Sequence, residues 1–192
     1  MIETERLILR QFFKTDAEDV YEYLKEPEVH CFACMKLNSL AEAQKETKRR
    51  TKDPENYFAI ALKEIGKVIG EICVGPEERE HGNSKNDVFS PFWMLNKEFQ
   101  KKGYAYEAAH AVFDYLFQEK GARRIYVYTE DYNYPCQRLC EKLGMRKEGL
   151  FKEFISFVNY PDGSPCYENT IQYAVLKKEW EKMIQIKKDI YY

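Results

Sequence analysis

The stretch Gln100-Lys101-Lys102-Gly103-Tyr104-Ala105 decides the fold, because it joins a predicted strand (Phe92–Leu95) to a strongly amphipathic predicted helix. The first turn of a helix leaves backbone N–H groups without partners, and the helix dipole adds partial positive charge there. Gly103 lets a ligand approach the backbone closely. The stretch therefore predicts an anion-binding loop, to which Lys101 and Lys102 add positive charge. A plain strand-to-helix connection is the alternative interpretation.

The helix after this loop is the best-supported element of the chain. Its apolar residues keep helical spacing up to Gly121, which predicts one buried stripe: Ala108, Ala109, Val112, Phe113, Leu116 and Phe117. A strand is predicted next, at Ile125–Thr129. The order strand, glycine loop, helix, strand is typical of a parallel crossover. A dinucleotide site of the Rossmann type is disfavoured, since its three-glycine fingerprint is absent.

The rest of the chain predicts helices at its N-terminal and C-terminal ends and two hairpins between them. The predicted elements are a strand at 7–12, a helix opened by Thr15 and running to about Lys25, a loop at 30–37, a helix capped by Ser39 and reaching about Lys52, a hairpin of 57–63 and 67–74, a solvated loop at 76–86, a strand at 88–95, a helix from Pro135 to Gly144, a hairpin of 150–158 and 167–176, and a polar helix from Lys177. Together they predict one α+β domain over residues 1–192. Its sheet is mostly antiparallel, with one parallel junction around residues 95–125.

Composition excludes several classes of function. Charged residues make up 32% of the 192 residues but the net charge is only −2, so the chain as a whole gives no reason to expect a nucleic-acid or membrane partner. No window reaches the roughly 20 apolar residues of a membrane span, and a cytoplasmic location is expected. Six cysteines form no compact framework, and the Cys31–Cys34 pair lacks a second ligand pair. Reduced thiols and no metal are expected.

The loop resembles the pyrophosphate motif of the GNAT superfamily of N-acetyltransferases, which is Arg or Gln, two variable residues, Gly, one variable residue, then Gly or Ala. Two further segments support the resemblance. Asn133 followed by Glu141–Met145 is similar to the family's next segment, and Glu5–Arg10 is similar to the opening strand of the branch that acetylates ribosomal-protein N-termini. The resemblance implies a GNAT-like fold, with a mixed, mostly antiparallel sheet, one splayed parallel strand pair and flanking helices.

The resemblance also implies that acetyl-CoA is the acyl donor and predicts where it binds. The pantetheine arm is expected between Phe92–Leu95 and Ile125–Thr129, with backbone groups near Met94 and Leu95 holding it. The residues expected to bind the donor are Met94, Leu95, Gln100, Lys101, Lys102, Gly103, Tyr104, Ala105, Asn133 and Cys136.

Glu71, Cys136 and Tyr134 are the main candidates for the chemistry. Acetylation of an amine by a thioester needs a base for the ammonium and an acid for the departing thiolate. Glu71 lies on a predicted strand, where related enzymes carry a catalytic or water-organising Glu; a solvent-facing strand carboxylate is the alternative. The family's usual acid positions hold Cys136 and Cys140 in this chain, and a thiol can protonate a thiolate of similar basicity. Tyr134 is an alternative hydroxyl donor, together with Tyr132.

The acceptor is expected to be a primary amine, either a protein N-terminus or a small molecule. In the family the acceptor enters between the first two helices and the last hairpin, here residues 30–52 and 158–167. The charges in those segments are mixed, so the sequence does not name the amine. The expected assembly is a monomer or a homodimer. Because both usual acid positions hold Cys, an acyl-CoA-binding sensor or scaffold with weak or no transfer is the alternative.

Overall fold

A computed structural model describes residues 1–75 and 87–191 of the chain. The solvated loop predicted at 76–86 lies outside the described residues. The helices are α1 (Ala17–Leu24), α2 (Leu40–Arg50), α3 (Tyr104–Gln118), α4 (Tyr134–Lys142) and α5 (Lys177–Tyr191). The strands are β1 (Ile2–Glu3), β2 (Leu7–Arg10), β3 (Tyr57–Leu62), β4 (Val68–Cys73), β5 (Val88–Phe89), β6 (Phe92–Leu95), β7 (Arg124–Glu130), β8 (Arg146–Asn159) and β9 (Pro165–Leu176). Of the helices in this part of the chain, none is long and apolar enough to cross a membrane.

The strands form two sheets that meet near residues 88–92. One sheet has the order β1-β2-β3-β4-β6 and the other the order β5-β7-β9-β8. All pairings are antiparallel except that of β5 with β7. The predicted fold class, a mostly antiparallel mixed sheet with one parallel pair and flanking helices, is confirmed.

The parallel junction differs in detail from the prediction. A single strand over 88–95 is wrong: β5 ends at Phe89 and β6 begins at Phe92, because Pro91 has no N–H to continue a ladder. The parallel pairing joins Val88 to Arg124 and Phe89 to Ile125. Beyond this point β6 pairs with β4 and β7 pairs with β9, so β6 and β7 diverge and leave a cleft between them.

The apolar stripe of α3 fills the space between the sheets, as predicted. All six of its predicted core residues are fully buried. Trp180 of α5 is also fully buried and closes this core, with its indole Nε1 donating to Asp114 Oδ1 at 2.6 Å. A second apolar cluster lies under α1, where Phe12, Val20 and Leu24 pack against β3, β4 and β6. β6 contacts both clusters and β7 contacts the first, so packing on the core holds the two strands that border the cleft.

Other boundaries differ from the predictions because local contacts changed them. Thr15 does not open α1. A 3₁₀ turn (Lys14–Asp16) comes first, with the Asp16 carboxylate accepting from the Phe13 N–H at 2.7 Å. The predicted loop at 30–37 contains a 3₁₀ helix (His30–Met35), and β8 begins four residues before the predicted Leu150. Both hairpins and the polar C-terminal helix are confirmed.

Candidate active site

A cleft of about 720 Å³ opens between β6 and β7. Its walls are Phe92–Leu95 of β6 and residues 127–130 of β7. One end is closed by the loop at 100–105 and the start of α3, and the start of α4 forms the facing side. The segment from the end of α1 through Phe32 covers it. The cleft therefore gathers the elements that the sequence analysis selected, together with several that it did not.

The glycine loop turns sharply into α3. Lys101 has a φ of 60° and Gly103 a φ of 86°, the left-handed region that favours glycine. Gly103 is the N-cap of α3 and supplies no side-chain cap, and the first helical N–H with an acceptor in the helix is that of Glu107, bonded to the Gly103 carbonyl at 3.1 Å. The N–H groups before Glu107 have no intrahelical acceptor. They make this end of the cleft suited to an anion.

Not all six loop residues line the cleft. Gln100, Lys101, Gly103 and Ala105 do, and the Gln100 amide donates to Glu28 Oε2 at 2.7 Å and to the Leu95 carbonyl at 3.2 Å. Gln100 thereby joins the loop to the last residue of β6.

Lys102 and Tyr104 face away from the cleft lining. The Lys102 ammonium lies 5.2 Å from the ring centre of Phe99. The Tyr104 ring lies under the Arg6 guanidinium, at 4.4 Å. These two residues support the loop from behind.

Arg6 and Glu107 clamp the loop to the N-terminal strand. Arg6 donates from Nε to Glu107 Oε2 at 2.7 Å and from Nη1 to the Lys102 carbonyl at 3.0 Å. Thr4 Oγ1 also donates to Glu107, at 2.6 Å. Burial alone would raise the pKa of Glu107, but the hydrogen bonds from Thr4 and Arg6 lower it below its ordinary value of 4.5. Glu107 is thus held ionised, which anchors the first turn of α3.

The β6 wall presents an unpaired backbone edge to the cleft. Among the described strands β6 is the last of its sheet, paired only with β4. The backbones of β4 and β6 approach closely at Gly70, where an added Cβ would lie 2.2 Å from the Met94 carbonyl oxygen. Met94 and Leu95 both line the cleft, and their contact with a pantetheine arm stays a prediction.

The start of α4 brings Asn133 and Cys136 to the cleft. Asn133 is the N-cap of α4, and its Oδ1 accepts from the Cys136 N–H at 3.3 Å. Both residues line the cleft. A hydrogen bond from the Cys140 thiol lowers the pKa of Cys136, against the opposing effect of burial. The same contact and burial raise the pKa of Cys140, which is fully buried in the core.

The two candidate tyrosines differ in their position relative to the cleft. Tyr134 has 61% of its surface exposed and is not among the residues that line the cleft. Tyr132 does line it, and burial, followed by nearby Glu130 and Glu168, raises the pKa of its hydroxyl.

Glu71 lies behind the cleft wall. Its carboxylate is fully buried, accepting from Arg50 Nη2 at 3.1 Å and from the Tyr23 hydroxyl at 2.9 Å. Burial raises its pKa, with Arg50 and Tyr23 acting in the opposite direction. Glu71 is paired with Met94 across β4 and β6, yet only Tyr23 of this group lines the cleft. Arg50 keeps Nε and Nη1 without hydrogen-bond partners.

A group of residues that the sequence analysis did not select lies where β7 and β9 reach the 3₁₀ helix at 30–35. We call it the acidic pocket: Glu130, Glu168, His30, Cys31 and Tyr132. Glu168 contacts His30 Nδ1 through Oε1 and accepts from the Tyr132 hydroxyl at 3.1 Å through Oε2. The Cys31 thiol lies beside Glu130, and burial together with that carboxylate raises its pKa.

Glu130 is the unusual member of the acidic pocket. It lines the cleft and is only 3% exposed, and its Oε1 has no hydrogen-bond partner. Its other oxygen accepts from Asn133 Nδ2 at 3.4 Å. The one sequence signal was its position directly after the predicted strand Ile125–Thr129. Within the described residues, no group of three or more His, Cys, Asp or Glu has the arrangement of a metal site.

Comparison with known proteins gives consistent results. A family model described as an acetyltransferase (GNAT) domain matches residues 6–146. The chain is 31% identical over 179 residues to a protein of Bacillus subtilis (strain 168) named "Uncharacterized N-acetyltransferase YnaD", covering 93% of this chain and 98% of that protein.

Solved structures show the same architecture. An acetyltransferase of the GNAT family from Bacillus anthracis superposes with a TM-score of 0.76 at 28% identity, covering 92% of this chain and 98% of that one. A ribosomal-protein-S5-alanine acetyltransferase from Vibrio fischeri superposes with a TM-score of 0.69 at 20% identity, covering 93% and 97%. The latter likeness concerns the fold alone.

Proposed function

The chain belongs to the GNAT family of acetyltransferases, and from this premise we propose which residues hold the acetyl donor and which carry the transfer. Membership makes the protein an acetyl-CoA-dependent N-acetyltransferase. The proposal concerns the parts that the family does not fix for this chain: the donor contacts, the acid and base, and the acceptor.

The donor's pyrophosphate binds at the loop of residues 100–105. The observation that carries this assignment is the N-terminus of α3, which begins at Gly103 without a side-chain cap and opens into the cleft. Lys101 adds positive charge from inside the cleft. The phosphates also meet Arg138, an exposed residue on α4 that lines the same cleft. Lys102 and Tyr104, which do not line the cleft, support the loop instead.

The pantetheine arm runs along the free edge of β6. The unpaired backbone groups of this strand near Met94 and Leu95 hydrogen-bond the arm, as a further strand would. The arm delivers the thioester toward the start of α4, where Asn133 and Cys136 line the cleft.

Transfer is direct: the amine nitrogen bonds to the acetyl carbon as the carbon–sulfur bond breaks. The Cys136 thiol gives its proton to the departing thiolate, and the lowered pKa of Cys136 makes it a stronger acid than an ordinary thiol. The thiolate left on Cys136 is reprotonated from solvent before the next turnover. Tyr134 points to solvent and is not assigned to this step.

Glu71 acts through Tyr23. Its carboxylate is buried and paired with Arg50, so it reaches the cleft only by the hydrogen bond from the Tyr23 hydroxyl. We assign Glu71 to positioning Tyr23 and the water that takes the amine's proton, in the water-organising role expected from the family.

The acceptor is a primary amine, either a protein N-terminus or a small molecule. The test is release of coenzyme A from acetyl-CoA in the presence of a mixed amine library, followed with a thiol-specific dye, with acetylated products identified by mass spectrometry. We expect release that depends on an amine and a product heavier by one acetyl group. Donor binding without release for every amine would contradict the proposal and favour a sensor or scaffold.

A further inference from the structure

The acidic pocket is short of positive charge. Glu130 and Glu168 are both buried, and the cation that contacts them within the described residues is His30, which touches Glu168 and carries charge only when protonated. Counted by residue type, the two acids of the pocket outnumber its one basic side chain. No lysine or arginine of the described residues forms an ion pair with Glu130.

Glu130 is the carboxylate of the pocket that lacks a positively charged partner. Glu130 is only 3% exposed, lines the cleft, and has no hydrogen-bond partner at Oε1. A buried carboxylate oxygen without a partner is strongly destabilising, because water no longer solvates it. The groups that contact Glu130 are neutral: Asn133 donates to Oε2 at 3.4 Å, and the Cys31 thiol lies against the carboxylate without supplying a positive charge. A cation entering the cleft would complete this site.

The reacting nitrogen does not supply that cation. An amine must be neutral to attack a thioester, so its charge is lost before the step that matters. Transfer of the amine's proton to Glu130 would also neutralise the carboxylate, and the turnover test below separates that case. A charge that compensates an ionised Glu130 throughout the reaction comes from a second cationic group of the acceptor.

Resting on the proposed function, we propose that Glu130 binds a second ammonium group of the acceptor, so that the protein's substrates are primary amines with a further positive charge. Glu168 is held behind Glu130 by Tyr132 and His30 and adds to the negative potential. Two kinds of acceptor meet this requirement, a diamine and a peptide whose second residue is basic. Both carry a primary amine and a second cation several bonds away.

The first test is equilibrium binding, which needs no turnover. Protein loaded with coenzyme A is titrated by calorimetry with putrescine and with n-butylamine, which have the same chain length but differ by one charge. We expect the wild type to bind putrescine about tenfold to a hundredfold more tightly, the range of a hydrogen bond to a charged group. Equal binding of these two amines by the wild type, together with equal binding of the peptide pair described below, would overturn the proposal.

Two matched variants locate the effect. Glu130→Gln keeps the size of the side chain and removes its charge, and we expect it to erase the preference for putrescine. Glu119→Gln removes an exposed carboxylate at the end of α3, outside the cleft, and we expect the preference to stay. A preference that survives in Glu130→Gln would overturn the proposal.

Steady-state kinetics distinguish a binding role of Glu130 from a role as general base. In Glu130→Gln we expect the KM for putrescine to rise toward that for n-butylamine, while the KM for n-butylamine, which lacks the second charge, changes less. An equal fall of kcat for both amines, with loss of one step of the pH profile, would make Glu130 a base and overturn the binding role.

The two proposals fail in different ways. Absence of coenzyme A release with every amine would contradict the proposed function, while the calorimetric comparison would still decide whether the second charge is recognised. A parallel pair of acceptors, alanyl-lysine amide and alanyl-norleucine amide, tells whether that charge is recognised on a peptide. A preference for putrescine alone means that the second charge is recognised on small diamines. A preference in both pairs means that it is recognised on diamines and on peptides. No preference in either pair overturns the proposal.

Discussion

The loop at residues 100–105 and the acidic pocket occupy the same cleft but are built differently. The proposed anion site of the loop consists of backbone groups from consecutive residues, with one glycine setting the turn. The acidic pocket depends on side chains from three distant parts of the chain, with 138 residues separating His30 from Glu168. A site made from the backbone tolerates changes in most of its side chains, whereas a site made from buried charges depends on each one.

The largest effect is expected at Gly103, the one residue of the loop whose substitution should abolish the difference between the two sites. In Gly103→Leu the left-handed φ is strained and the new Cβ approaches Arg6 Nη2 to 3.2 Å. Loss of about two charge-assisted hydrogen bonds would weaken acetyl-CoA binding about a hundredfold. Calorimetric titration with acetyl-CoA measures it.

Gly121→Leu is the control for this substitution. Gly121 has a φ of 71° and open space around it, so its variant suffers the same kind of strain at the far end of α3. We expect acetyl-CoA affinity to remain as in the wild type. An equal loss in both variants would mean that general strain, and not the phosphate cradle, explains the result.

A smaller effect is expected at Cys136, which lies between the two regions. Cys136→Ala removes the proposed acid while Asn133 still caps α4 through the backbone N–H of residue 136. We expect kcat to fall about tenfold to a hundredfold, toward the lower end of general acid catalysis, with acetyl-CoA affinity retained. Initial rates of coenzyme A release from acetyl-CoA, with an amine that the wild type acetylates, measure kcat.

Cys136→Ser should recover part of the lost rate, because a hydroxyl can also donate a proton. Cys34→Ala, an exposed thiol outside the cleft, should leave kcat unchanged. Wild-type turnover in Cys136→Ala across the pH range would remove this thiol from the mechanism.

The clamp behind the loop makes a prediction about stability. The pKa of Glu107 is lowered by Thr4 and Arg6, so its contribution to folding is present above about pH 4.5 and is lost as the pH falls through the lowered pKa. We expect Glu107→Gln to lower the free energy of unfolding by about 1–3 kcal/mol at neutral pH. The difference from the wild type should shrink in acid.

Urea unfolding at neutral pH and near pH 3 measures this difference. Glu119→Gln is again the matched control, since that carboxylate is exposed and outside the clamp. A difference that stays constant with pH would show that Glu107 does not act through its charge.

The smallest expected effect distinguishes two neighbouring lysines. Lys101 lines the cleft, whereas the Lys102 ammonium lies over Phe99. An exposed charge contributes less than about 1 kcal/mol, so Lys101→Met should weaken acetyl-CoA binding a few-fold and Lys102→Met should have a smaller effect. Both affinities are measured at low and high salt, and only the contribution of Lys101 should fall with salt. Equal effects would contradict the assigned geometry.

The sequence predicted what local patterns encode. The stripe of α3 and the helix predicted from Pro135 depend on spacing within one or two helical turns, and both are present. The expected parallel partners at 92–95 and 125–129 face each other across the cleft, but the hydrogen-bonded pairing itself lies at 88–89 and 124–125. Pro91 was the residue that could have placed the break.

The acidic pocket was not predicted, because no local pattern links its members. Glu130 looked like any strand-terminal carboxylate until β9 brought Glu168 near it and the 3₁₀ helix covered both. Glu71 shows the converse. Its strand was predicted correctly, but only the fold reveals that Arg50, from α2, pairs with it in the interior. Sequence periodicity predicts which residues are buried, whereas the topology of the fold decides which buried charges come into contact.

The central claim is that the cleft has a donor side made by the loop and an acceptor side made by the acidic pocket. Calorimetric titration of acetyl-CoA into Gly103→Leu and Glu130→Gln, side by side with the wild type, tests it most directly. The account predicts that Gly103→Leu binds acetyl-CoA about a hundredfold more weakly while Glu130→Gln binds it as the wild type does. Wild-type affinity in Gly103→Leu, or an equal loss in Glu130→Gln, would contradict it.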